Sequence, residues 1–316
     1  MTTILAVDGG NSKTDVVLLG EDGAVLGSLR GPQCSPDHLG LDRSIEMLAG
    51  LAAQVGGPAD LGMLLLAGVD FPDEEDAYRA AAEARGLAAR IVVGNDTFAV
   101  LRAGTERGWG VAVTCGAGIN CVGVAPDGRR VRFPSLGAIS GDWGGGADVG
   151  KAAAEAAARS EDGRGPKTVL EQLVPAELGF ADTVALARAY TAGSVSFHDL
   201  RVLAPVTFAA AAEDEVAASI VHRLADEVAT MAVTALRRLD LVGEPVDVVL
   251  GGGLLQSGDE RLLERVASRL YSADPGIRLT VAEVPPVVGA ALLGLEEAGA
   301  GPEARARVRA ELKPLS

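Results

Sequence analysis

The chain has 316 residues, 48% hydrophobic and 22% charged, which is typical of a globular protein with two domains. Its 43 acidic and 28 basic residues give a formal net charge of −15, which argues against the basic face of a nucleic-acid-binding protein. No apolar run reaches the length of a membrane span, and no secretion signal opens the chain. We therefore expect a cytoplasmic protein that binds neither nucleic acid nor membrane.

The first part of the chain predicts three strands followed by alternating helices and strands. Short apolar runs at 4–8, 14–19 and 24–29 predict an antiparallel set, with Asp22-Gly23 as a hairpin turn. The patterns that follow predict a helix at 41–55, a strand at 61–67, a helix at 73–85, a strand at 90–93 and a helix through Arg102.

The second part repeats this plan. Its predicted elements are strands at 110–115, 119–125 and 130–133, a glycine-rich stretch at 137–150 that opens a long helical region, a helix at about 213–239, a strand at 246–250, a helix at 259–271, a strand at 277–282 and a helix pair at 286–312. The shared plan predicts a duplicated α/β fold, with domains at 1–104 and 105–285. The C-terminal helices, about 286–316, could pack back on the first domain, which the pattern alone leaves open.

The turn between the first two strands is the first candidate site. Its glycines allow the backbone to approach a phosphate, and Lys13 and Ser12 suit phosphate oxygens. Asp8 ends a buried strand, where an unpaired charge is costly unless it serves Mg²⁺ directly or through water. A plain β-turn is the alternative interpretation. The residues of this loop are Asp8, Gly9, Gly10, Asn11, Ser12 and Lys13.

Two further glycine motifs follow strands in the second part. The turn 115–120 occupies the place that the first loop has in the first part, and two such turns in a duplicated fold are less expected by chance than one. The stretch 250–257 contains Gly251-Gly252-Gly253, which offers room for a flat base, although a plain loop is the alternative. The candidate residues are Thr114, Gly116, Ala117, Gly118, Asn120, Gly251, Gly252, Gly253 and Gln256.

Two aspartates are candidates for polar chemistry. Asp96 follows a strand end, where α/β sheets form their sites, and a carboxylate there can take a proton from an attacking hydroxyl. Asp142 lies in a glycine-rich turn before a helix and could bind hydroxyl groups. For both residues a helix N-cap is the alternative interpretation.

Taken in order, these motifs resemble the BadF/BadG/BcrA/BcrD-type ATPase family and, within it, the N-acetylglucosamine kinase-like members. The resemblance runs from Ile4 to about Leu293. It implies the actin-like (ribonuclease H-like) ATPase fold, with two domains around a central cleft. It also implies that 8–14 and 115–120 are phosphate loops, that 251–253 contacts adenosine and that Asp96 is the catalytic base. The sugar contacts that it implies are Asn95, Asp96, Ser135, Gly137 and Asp142, and Asp37 and His38, in the segment that matches the family's early sugar-contacting segment, are further candidates.

The resemblance implies an ATP-dependent kinase with Mg²⁺ that phosphorylates an amino sugar, N-acetylglucosamine at the 6-hydroxyl. The sequence departs from the family pattern at Ala117, where a Thr is usual, and at 35–40, which lacks the usual Asn and Trp. In that segment Asp37 and His38 could contact another sugar substituent or cap the helix near Leu41. A kinase for another hexose or hexosamine therefore stays open.

A second alternative is an ATPase that activates a partner enzyme. Activators of this kind hold an iron–sulfur cluster through cysteines at a dimer interface. Cys115 and Cys121 lie in and beside the second loop, and Cys34 is distant in sequence, so no cluster spacing is present. We expect reduced, buried thiols instead, and a homodimer as the assembly that is common among similar enzymes.

Overall fold

The structure, a computed structural model, describes residues 2–312 and contains two five-stranded sheets with helices around them. The strands are β1 (Thr3–Gly9), β2 (Lys13–Gly20), β3 (Val25–Pro32), β4 (Ala59–Leu66), β5 (Ala88–Asn95), β6 (Gly110–Cys115), β7 (Ile119–Val124), β8 (Arg130–Arg132), β9 (Val246–Gly251) and β10 (Ile277–Val281).

The helices account for most of the remaining chain. They are α1 (Pro36–Leu39), α2 (Leu41–Gln54), α3 (Pro72–Ala84), α4 (Thr97–Gly104), α5 (Gly146–Glu161), α6 (Leu170–Glu177), α7 (Thr183–Thr191), α8 (Leu203–Ala210), α9 (Glu215–Arg238), α10 (Glu260–Ala273), α11 (Pro286–Glu297) and α12 (Pro302–Glu311). Short 3₁₀ turns lie at Gly137–Ser140, His198–Val202 and Leu255–Ser257.

The two sheets have the same topology. The first has the strand order β3-β2-β1-β4-β5, and the second has the order β8-β7-β6-β9-β10. In each, the first three strands in the chain pair antiparallel, and the two later strands add in parallel. The duplicated α/β fold that the sequence predicts is confirmed.

The central strands of the first sheet are apolar because helices cover both of their faces. Along β1, Leu5 and Val7 pack with α2 and α3 on one face, while Ile4 and Ala6 pack with α11 on the other. All four side chains are almost completely buried. A strand buried on both faces reads as a continuous apolar run, which is the pattern in the sequence.

Helix α11 returns to the first sheet from the C-terminal part of the chain. Val288, Leu292 and Leu295 join the apolar cluster under β1 and β4, and the helix also crosses α4. The two helices come so close that a Cβ at Gly289 would overlap the carbonyl oxygen of Ala99. The contacts agree with the option that the C-terminal helices pack back, and the domain boundaries at 104/105 and 285/286 stay predictions.

This crossing gives a stability prediction. Gly289→Ala is expected to destabilise the protein by about 1–3 kcal/mol, because the added methyl group has no room between α11 and α4. Gly50→Ala, on an exposed face of α2 with open space around it, is the matched control and is expected to stabilise by about 0.5–1 kcal/mol. Urea unfolding of both variants measures the difference. Equal stabilities would show that the crossing can widen without cost.

Cys34, Cys115 and Cys121 are buried free thiols, as predicted. Among residues 2–312, no cluster of three or more His, Cys, Asp or Glu side chains could hold a metal ion. The helices of this part of the chain include none that is long and apolar enough to cross a membrane.

Candidate active site

The carboxyl ends of the parallel strands of both sheets meet at a cleft of about 480 Å³. Ligand sites of α/β proteins form at such strand ends. Most of the residues predicted from the sequence line it. They are Asp8, Gly10, Asn11, Ser12, Lys13, Asp37, Asn95, Asp96, Thr114, Gly116, Ala117, Gly118, Asn120, Ser135, Gly252, Gly253 and Gln256.

Asp8 is the penultimate residue of β1 and lines the cleft, with 9% of its surface exposed. The pKa of this carboxyl is raised to about 8, chiefly by burial. The charges of Asp96 and Asp15 also raise the pKa, and those of Lys13 and Arg30 lower it by a smaller amount. No N–H or O–H group of residues 2–312 donates a hydrogen bond to the Asp8 carboxylate. Oxygen ligands in this condition fit a hard cation such as Mg²⁺.

Lys13 is held at the cleft by a buried aspartate. Its Nζ lies 3.1 Å from Asp15 Oδ2, and Arg30 Nε lies 2.6 Å from the other carboxylate oxygen. Burial opposes ionisation of Asp15, but the hydrogen bonds from Arg30 and Lys13 outweigh it and keep the pKa of Asp15 below its usual value. The half-exposed ammonium group of Lys13 can therefore turn towards an anion in the cleft.

Asp96 stands at the N-cap position of α4, but its side chain makes no capping hydrogen bond. Asn95 takes that part, since its Oδ1 accepts from the backbone N–H of Thr97 at 2.9 Å. Burial raises the pKa of Asp96 to about 6, and the hydrogen bond from Thr97 offsets only part of this effect. Among residues 2–312, no cationic side chain lies within ion-pair distance of Asp96. The carboxylate is thus free to act in the cleft.

The second loop, 115–120, is fixed from behind by the start of α5. The backbone N–H of Gly146 donates to the carbonyl of Gly116 at 2.8 Å. The N-terminus of a helix of 16 residues therefore lies directly behind the loop, and its partial positive charge favours an anion there. Across the cleft, the hydroxyl of Thr114 lies 3.1 Å from that of Thr97.

The third glycine motif packs against the second loop. Gly252 has a φ of +86°, and a Cβ there would overlap the backbone of Cys115, so only glycine fits. Gly251 lies beneath Val100 and does not line the cleft. The side-chain amide of Gln256 lines the cleft and donates to the carbonyl of Ala282 at 2.6 Å.

Five predicted residues lie outside this cleft. Gly9 and Gly251 are packed under it, and the His38 ring meets the His198 ring at 5.6 Å between centroids. Gly137 and Asp142 line a neighbouring pocket of about 470 Å³, where Asp142 accepts a hydrogen bond from Ser140. The pocket and the cleft share one wall, formed by Ala117, Gly118, Ile119 and Ser135.

The sequence reasoning missed Asp70, which lines the cleft beside Asp96. Its Oδ1 accepts from Asn95 Nδ2 at 2.7 Å and from Asn120 Nδ2 at 3.1 Å. Burial raises the pKa of Asp70 to about 7; the bond from Asn120 lowers it, and nearby carboxylates add to the rise. A signal was present, because Asp70 follows the buried strand β4 much as Asp96 follows β5.

The chain is similar in sequence to two curated sugar kinases. The chain is 32% identical over 183 residues to an N-acetylmuramic acid/N-acetylglucosamine kinase of Clostridium acetobutylicum, an alignment that spans 54% of this chain and 58% of that protein. It is 26% identical over 321 residues to an N-acetyl-D-glucosamine kinase of Dictyostelium discoideum, spanning 92% and 97% respectively.

A solved structure and a family model cover almost the whole chain. The structure of a candidate N-acetylglucosamine kinase from Chromobacterium violaceum superposes with a TM-score of 0.72 at 24% identity, over 93% of this chain and 99% of that one. At this identity the likeness shows the fold, which is the actin-like fold expected from the sequence. The model described as "BadF/BadG/BcrA/BcrD ATPase family" matches residues 5–294. The chain is therefore a member of the BadF/BadG/BcrA/BcrD ATPase family.

Proposed function

We propose that the protein is an ATP-dependent kinase that phosphorylates an amino sugar, with N-acetylglucosamine at its 6-hydroxyl as the first candidate. The observation that carries this proposal is the placement of Asp96, a half-buried carboxylate without a cationic partner among residues 2–312, in the same cleft as two glycine loops from opposite sheets. The family match and the names of both curated relatives support the same reaction.

The nucleotide is proposed to lie with its phosphates between loops 8–14 and 115–120. Backbone N–H groups, the Ser12 hydroxyl and Lys13 Nζ would contact phosphate oxygens, and the N-terminus of α5 would favour their charge. The adenosine would lie against Gly252 and Gly253, which line the cleft without side chains. In this arrangement ATP joins the two halves of the molecule.

Mg²⁺ is proposed as the metal, held mainly by the phosphates. Asp8, which is buried and receives no hydrogen bond within 2–312, and the unpartnered buried Oδ1 of Asn11 are the oxygens that fit it. When bound, the metal supplies neutralisation of the charge on the transferring phosphoryl group. The lack of a three-ligand protein cluster in 2–312 agrees with a metal bound chiefly by its nucleotide.

Asp96 is proposed to accept the proton of the attacking sugar hydroxyl. Because the pKa of Asp96 is about 6, the carboxylate is mostly ionised at pH 7. This pKa is also close enough to pH 7 for Asp96 to serve as a general base. As the proton moves to Asp96, the hydroxyl oxygen forms its bond to the γ-phosphorus and the bond to the ADP oxygen breaks. Closure of the two domains over the cleft would exclude the water that competes with the sugar.

The acceptor sugar is proposed to lie beside Asp96, against Asp37, Asn95 and Ser135. Ser135 has a φ of +52°, and its buried Oγ has no partner among residues 2–312, which leaves it available for a hydroxyl group. His38, Gly137 and Asp142 lie in the adjoining region, and closure of the cleft would bring them to the sugar. Asp37 stands where N-acetylglucosamine kinases usually carry other residues, so the identity of the sugar needs a direct test.

The proposal predicts sugar-dependent release of ADP. We expect that Mg·ATP with one sugar of a panel, comprising N-acetylglucosamine, glucosamine, N-acetylmannosamine and glucose, gives strong ADP release in a coupled assay, with little release in buffer alone. The sugar that responds names the substrate. Release of ADP that ignores every sugar would contradict the proposal and favour an ATPase that acts through a partner protein. The homodimer and the cytoplasmic location stay predictions.

A further inference from the structure

Both backbone polar groups of Asp70, its N–H and its carbonyl, make hydrogen bonds to side chains. Its backbone N–H donates to Glu74 Oε2 at 2.8 Å, at the start of α3. Its carbonyl oxygen accepts from Arg132 Nη1 at 3.2 Å, and the same Arg132 nitrogen pairs with Glu75 Oε1 at 2.8 Å. Arg132 belongs to β8 of the second sheet, so the segment that carries Asp70 is held both by α3 and by the second sheet.

The side chain of Asp70 makes a second connection between the sheets. One oxygen, Oδ1, receives the amide of Asn95 from β5 and the amide of Asn120 from β7. The partners lie 25 and 50 residues from Asp70 along the chain, one in each sheet. Asp70 is therefore the common acceptor of two amides that face each other across the cleft.

Both amides belong to functional segments. Asn95 uses its other end to cap α4 at Thr97, which sets the backbone that carries Asp96. Asn120 is paired with Thr114 in the second loop, and its Oδ1 accepts from the backbone N–H of Cys121 at 2.7 Å. The segment that carries Asp96 and the second loop therefore share one carboxylate oxygen as acceptor, beside the direct contact between Thr97 and Thr114.

We propose that Asp70 is a positioning residue that couples binding of the acceptor beside Asp96 to binding of the nucleotide at the second loop. This inference rests on the proposed kinase function and adds to it the residue through which the two substrates sense each other. Coupling of this kind appears as a lower Kd for the sugar when the nucleotide is bound, and the Kd of the nucleotide falls by the same factor when the sugar is bound.

An exchange of side chains between Asp70 and Asn120 tests the inference. Asn120→Asp places two carboxylates against each other and is expected to reduce kcat/KM for the sugar by about 10- to 100-fold. The double variant Asp70→Asn with Asn120→Asp restores one amide and one carboxylate, and it is expected to recover most of that loss.

The controls separate positioning from stability. Melting temperatures are measured for every variant. Asp73→Asn, which removes an exposed charge from the first turn of α3, is expected to behave as wild type. The binding of an unreactive ATP analogue with and without sugar should lose its synergy in Asn120→Asp and regain it in the double variant. A role limited to stability would change the melting temperature without changing this synergy.

The outcomes distinguish the inference from the function on which it rests. Wild-type protein that releases ADP regardless of sugar overturns both. Wild-type protein with sugar-dependent release, together with a double variant that is no better than Asn120→Asp alone, overturns the coupling role and leaves the kinase proposal standing. Recovery of both kcat/KM and synergy in the double variant supports the role of Asp70.

Discussion

Replacement of Asp96 by Asn is expected to reduce kcat by a factor of about 10²–10⁴, the usual effect of losing a general base. The amide keeps the shape of the side chain but cannot accept the proton of the attacking hydroxyl. Because Asn95, and not Asp96, caps α4, the substitution leaves the helix start intact. Steady-state ADP release at saturating sugar and Mg·ATP measures the change.

Two controls make this result specific. Asp42→Asn, at an exposed position in the first turn of α2, is expected to keep wild-type kcat. Binding of an ATP analogue to Asp96→Asn should stay within a small factor of wild type, since Asp96 is placed against the acceptor and not the nucleotide. Near-normal kcat with intact nucleotide binding would exclude Asp96 as the base.

Replacement of Asp8 by Asn is expected to lower activity by a similar factor while making the protein more stable. Activity falls because the amide is a poor ligand for Mg²⁺. Stability rises because the buried carboxylate has a pKa raised to about 8 from an ordinary value of 3.8. Between these values the folded protein holds a proton that the unfolded chain releases, so Asp8 makes wild-type stability decrease as the pH rises from about 4 to 8.

The melting temperature of Asp8→Asn should therefore exceed that of wild type by an amount that grows between pH 5 and pH 8, measured with EDTA and without nucleotide. Each kcal/mol gained raises the melting temperature by about 2–4 °C for domains of 150–250 residues. Asp42→Asn serves again as the control, with no pH-dependent difference expected. A constant difference across this range would show that Asp8 is ionised in the folded protein at low pH.

Local pattern was sufficient for much of the fold. The alternation of apolar runs and hairpin turns predicted both antiparallel sets, and the helical stripe at 41–55 matches α2 within one residue. The region between α5 and α9 was predicted only as helical, since it consists of short helices, two of which contain a proline, Pro175 in α6 and Pro205 in α8. Their ends depend on packing against one another rather than on local periodicity.

The site could be predicted where a motif carries its own geometry, as in the glycine loops. Asp70 was missed because its partners, Asn95 and Asn120, meet it only after both sheets have formed. Asp142 was predicted beside the other polar residues, but the structure places it in the adjoining pocket. The separation of two neighbouring turns in space depends on how the sheets are arranged, which no local pattern records.

The return of α11 to the first sheet has a consequence for biosynthesis. Ile4 and Ala6 of β1 are covered by Val288 and Leu292, which the ribosome adds only after the strands of both sheets. When the first sheet has been synthesised, one of its apolar faces is therefore still exposed to solvent. This face stays exposed until helix α11 has been synthesised and can pack on it. Exposed apolar surface of this kind makes a nascent chain prone to aggregation until helix α11 has left the ribosome.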